Sequence, residues 1–150
     1  MARGQGFSMI VGSGSVLPST FVTPLATAAD SANDSVAGYA CKQAVLTSQP
    51  ICGISQEGTR YAPTDETIAA PAGKYTGVAG YTGDPIKIYG LGDICLLSLG
   101  TTVTPGQLLM SDGSTGAAVP ATGSGYYGAQ AQEGGVSGDL IRVQVVMGVF

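Results

Sequence analysis

The side chains able to do chemistry are few, and their spacing does not bring them together. Asp84, Asp93, Asp112 and Asp139 each adjoin a glycine, a setting in which Asp bonds its own neighbouring backbone amides. They read as turn residues, and no D-x-D-x-D-G run marks a calcium loop. Asp65 and Glu66 are adjacent in a proline-containing stretch, so their side chains diverge and make no acid–base pair. Cys41, Cys52 and Cys95 form an odd set without C-x-x-C spacing, which suits neither a disulfide framework nor a zinc knuckle. They read as buried reduced thiols, consistent with synthesis in a reducing cytoplasm. Gly123-Ser124-Gly125-Tyr126-Tyr127-Gly128 matches G-x-G-x-x-G, but the residues after it, AQAQEGG, are too short and glycine-terminated for the helix a pyrophosphate needs. The seven tyrosines, 39, 61, 75, 81, 89, 126 and 127, fit half-buried β faces and protein contacts, or the lining of a peptide or sugar groove.

Composition narrows the classes further. The chain has no His and no Trp, which excludes Ser-His-Asp and Cys-His nucleophiles, His-ligated zinc and His-based proton transfer. Charged residues make up 11 % and the net charge is −4, whereas phosphate-driven nucleic-acid binding needs a basic face. Arg3 followed by apolar residues, with Ala26-Thr27-Ala28 beyond, imitates a signal peptide. Gly12, Gly14, Pro18 and Pro24 break the apolar run, however, and no stretch approaches transmembrane length. The expectation is no enzyme, no cofactor, no metal, no nucleic acid and no membrane.

The elements that would position these residues are strands. With 24 Gly and 8 Pro, no window of ten residues keeps a helical period uninterrupted by either. Residues 138–150 alternate, with Ile141, Val143, Val145 and Met147 on one face and Arg142, Gln144 and Val146 on the other. Residues 83–90 repeat the pattern, Ile86 and Ile88 inward, Lys87 and Tyr89 outward. Residues 93–99, DICLLSL, read as a more fully buried strand, and Ser111-Asp112-Gly113-Ser114 as a hairpin turn.

Residues 1–35 differ from the rest and read as an extended N-terminal arm, held by a neighbouring subunit, before a β domain over 36–150. Residues 59–82, containing Pro63 and Pro71, read as an inserted loop. A faint internal echo relates Gly53–Gly58 to Gly128–Gly134, each followed by a Gly-Asp strand opening. The fold class is mainly β, a small barrel or jelly-roll-like domain; short strands of this spacing fit a jelly roll, a smaller barrel or a sandwich.

Residues 92–146 resemble the head decoration, or cement, proteins of tailed bacteriophages. The matching elements are Val103 to Met110, Ser111-Asp112-Gly113, Ala117 to Thr122 (ending in AVPAT), Gly128 to Glu133 and the final strand Gly138 to Val146. The N-terminal 35 residues fall outside the resemblance, and the 59–82 segment departs from the shortest members. The resemblance implies a virion structural protein on the capsid exterior, stabilising the shell by bridging neighbouring major capsid proteins. It implies a homotrimer on three-fold or quasi-three-fold axes, with a homodimer as the alternative. Phe7, Met9, Ile10, Val11, Leu17 and Phe21 are the expected partner contacts, adding strands to exposed sheet edges. Two other classes stay open: a receptor- or glycan-binding module using the tyrosines and the 59–82 loop, and a β-rich oligomeric enzyme with a carboxylate-bound metal.

Overall fold

The computed structural model describes residues 6–12, 14–24, 40–57, 78–81 and 83–149. Through them run β1 (Phe7–Val11), β2 (Ser15–Val16), β3 (Phe21–Pro24), β4 (Ala40–Gln43), β5 (Gly53–Ser55) and β6 (Gly80–Tyr81). There follow β7 (Pro85–Tyr89), β8 (Ile94–Ser98), β9 (Leu108–Ser111), β10 (Ala118–Pro120), β11 (Tyr126–Ala131) and β12 (Leu140–Val149). No described residue is helical, and none of the described segments could cross a membrane as a helix. The molecule is all-β, as the interrupted periodicity predicts.

Five strands close into a small barrel in the order β1-β4-β3-β5-β7. The parallel pair β1–β4, in register Ile10↔Ala40, and the antiparallel pair β1–β7, from Phe7↔Ile88 to Ile10↔Pro85, complete the ring. Met9, Val11, Val16, Val22, Cys41, Ala79, Ile86 and Ile88 fill its interior. Within the 1–35 segment β1 and β3 are therefore barrel wall, and β2 belongs to a separate two-stranded sheet, where the sequence pattern suggested an arm. Glycines and prolines that forbid a helix leave short strands intact when they sit at strand ends: Gly14 turns the chain at φ +67° before β2, and Pro24 closes β3. Residues 1–5 and 25–35 lie outside the described residues, as does most of the expected 59–82 loop. From the end of that loop, β6 pairs with β2 through Ser15↔Tyr81 and Val16↔Gly80.

The other five strands form an antiparallel sheet ordered β10-β9-β11-β12-β8. An isolated parallel bridge, Leu99↔Ala118, with Gly100 N donating to Ala118 O at 2.8 Å, curls its two edges toward each other. Leu97, Leu109, Ile141, Val143 and Val145 face inward and meet Phe21 and Ile54 from the barrel. The β3 strand is thus buried on both faces, Phe21 toward the sheet and Val22 toward the barrel interior. Burying each such side chain contributes roughly 1.5–3 kcal/mol. Gly128 permits the close approach: a Cβ there would lie 2.8 Å from the Phe21 ring and 2.8 Å from Ile51.

The two alternating strands emerge as read, with one exception. Ile141, Val143 and Val145 are buried, with Met147 half-buried against them; Ile86 and Ile88 point into the barrel and Lys87 is exposed, but Tyr89, expected outward, is half-buried against the core under the second sheet. The β8 strand differs. It alternates, Cys95 and Leu97 buried and Ile94 exposed, because an antiparallel sheet meets the core with one face only. The hairpin joins β9 to β10 as expected, with a loop over 112–117. The echo is only partial: β5–β7 and β11–β12 are both antiparallel pairs, but β9 pairs with β11 whereas β4 pairs with β1 and β3.

Candidate functional site

The carboxylates of Asp93, Asp112 and Asp139 are engaged by the fold, whereas Asp65, Glu66, Tyr39, Tyr61 and Tyr75 lie outside the described residues. Asp93 accepts from Gly90 N at 2.8 Å and Asp139 from Val136 N at 2.9 Å, each closing its own turn. Asp112 accepts from the amides of Ser114, Thr115 and Gly116 at 2.9, 2.8 and 3.1 Å and from the Thr115 hydroxyl. Burial alone would raise the Asp112 carboxyl, but those bonds favour its charged form more and hold it below the ordinary carboxylate range. Among the described residues, no three Cys, Asp or Glu side chains are placed to hold a metal ion. The G-x-G-x-x-G match leads into β11, and its last glycine serves core packing.

The three cysteines are free thiols, and burial pushes each up to about 12. Cys41 lies opposite Pro24 on one side of β3, while Cys52 precedes Gly53, which lies opposite Val22 on the other side. Strands two apart stand about 9.5 Å from each other, beyond disulfide reach. Cys52 Sγ instead contacts Val22 O at 3.5 Å and Met9 Sδ at 3.8 Å. Such thiols pack as small apolar groups.

What the molecule offers outward is an apolar surface at one end. The β7–β8 turn presents Leu91, 71 % exposed, and Gly92 N ties that turn to Val145 O at 2.8 Å. Beside it β12 ends at the exposed Val149, opposite Tyr126. Tyr126 N bonds Thr47 O at 3.1 Å, which brings the 46–50 loop with its exposed Leu46 to the same end. Between them opens a shallow groove of about 270 Å³, lined by Pro50, Ile51, Tyr126, Tyr127, Met147 and Val149, with no charged residue in its wall. Tyr127 lies flat over Gly148, where a Cβ would overlap its ring. At the barrel mouth the Phe7 ring stands against Gly90, next to Leu91. Lys87 Nζ sits 5.0 Å over the Tyr89 ring, a cation–π contact. Val136 and Leu140 are exposed at the far end of β12.

The expected contact residues divide. Met9, Val11 and Phe21 are buried in the chain's own cores and present nothing to a partner. Ile10 is half-buried in the barrel wall. Leu17 is half-buried in a polar elbow, its amide donating to Gln43 Oε1 and its carbonyl accepting from Thr20 and Ser55 hydroxyls at 2.8, 2.8 and 2.6 Å. Phe7 alone of the six is exposed. Sequence reasoning singled out Tyr126 and Tyr127 as groove candidates but missed Leu91 and Val149. An apolar residue between Gly90 and Gly92, where the alternation of one strand stops and the next begins, is the signal for Leu91.

No protein-family model matches the chain, and no curated protein does. Among solved structures the chain is similar to the crystal structure of the head fiber gp8.5 N base of bacteriophage phi29. The identity is 19 %, the alignment covers 94 % of this chain and 92 % of that one, and the TM-score is 0.49.

Proposed function

We propose that this chain is a decoration protein of a tailed-phage head, docking on the outer capsid surface and bridging neighbouring major capsid proteins. The observation that carries the reading is the apolar groove at Tyr126, Tyr127 and Val149, whose wall holds no charged residue, together with the exposed Phe7 and Leu91 at the barrel mouth. An uncharged face can be covered by a neighbour without desolvating ions, and a grouped set of exposed large apolar residues marks an interaction site. The turn-and-strand resemblance over 92–146 supplies the kind of partner. In this reading the subunit is a homo-oligomer, a trimer or alternatively a dimer, made in the host cytoplasm and placed on the virion exterior. It has no catalytic role and no cofactor. Each subunit covers roughly 1,200–2,000 Å² with its partners, and several subunits in one oligomer raise avidity well above a single contact. Preference for the expanded shell stabilises that state by linkage.

The test is sedimentation of the purified chain alone and mixed with empty expanded heads of its own virus. Saturable co-sedimentation at a copy number matching the symmetry axes supports the reading; a protein that stays in the supernatant overturns it. A second reading, recognition of a receptor or glycan, is favoured by the two tyrosines in the groove. A glycan array checks it, with binding lost in Tyr126→Ala or Tyr127→Ala as its expected signature.

A further inference from the structure

We draw no further inference here: the strongest candidate, the open groove between Pro50, Tyr126, Tyr127 and Met147 at the end of β12, belongs to the surface already described, and nothing in the structure shows what covers it beyond the partner already proposed.

Discussion

Ser19 holds a left-handed backbone conformation, φ +54°, while its buried hydroxyl has no partner. Both features cost stability, roughly 1–3 kcal/mol for the backbone alone. Its position explains why they persist: Ser19 N donates to Gln56 O at 3.0 Å and Ser19 O accepts from Ser98 N at 2.8 Å, so the residue ties β5 to β8. Ser19→Gly keeps both backbone bonds and removes both costs, and is expected to raise the urea midpoint by an amount equivalent to about 1 kcal/mol. Gly128 is the opposite case. Ala at this position overfills the contact with Phe21 and Ile51, with an expected loss of about 1–3 kcal/mol in the same measurement. For Asp112 the sign follows from the lowered carboxyl: the folded value lies below the unfolded one, so its contribution is complete above the unfolded pKa, about 4, and fades as pH falls through the folded value. Asp112→Ala should therefore lower the thermal midpoint at neutral pH, and the two curves should converge in acid.

At the scale of strands, the clearest test contrasts a buried position of β12 with an exposed one just before that strand. Ile141→Ala, which empties a fully buried position, is expected to cost about 2–5 kcal/mol by chemical denaturation. Val136→Ser, just before the same strand and exposed, should stay within about 0.5 kcal/mol of wild type. The same contrast explains what was legible. β7 and β12 each bury one face, so a period of two appears directly in their side chains. β3 and β5 are buried on both faces and have only three or four residues, too short and too uniformly small or apolar to show a period. The 93–99 stretch reads as continuously buried because Ile94 and Leu96 are apolar, although β8 turns only one face to the core. β1 to β3 were hidden by the glycines and prolines between them, which signal an irregular arm and a chain of tight turns equally well. Burial of Met9, Val11 and Phe21 depends on pairing with β4, β5 and β7, strands distant in sequence, and local pattern holds no record of such partners.

For the whole molecule, the proposed docking face is only partly separate from the cores: Leu91 and Phe7 belong to neither, whereas Ile51 and Met147 of the groove pack in the larger one. Leu91→Asp adds a charge where a partner would sit and touches no core residue. The expected result is at least a tenfold loss of head binding by co-sedimentation with an unchanged thermal midpoint. Retained binding would move the docking face elsewhere. The location of that face was only half legible: Phe7 and the paired tyrosines stand out by type, whereas Leu91, Leu46 and Val149 converge only once loops and strand ends are folded against each other.

The double burial of β3 has one more consequence. A wall shared by two hydrophobic interiors cannot open toward one without exposing the other, so neither half has a low-energy way to melt alone. Amide exchange at Val22 and at Val143 should report the same opening free energy, and calorimetry should record a single transition. In the proposed capsid role, heat or chaotrope would then release the protein abruptly, as one all-or-none event.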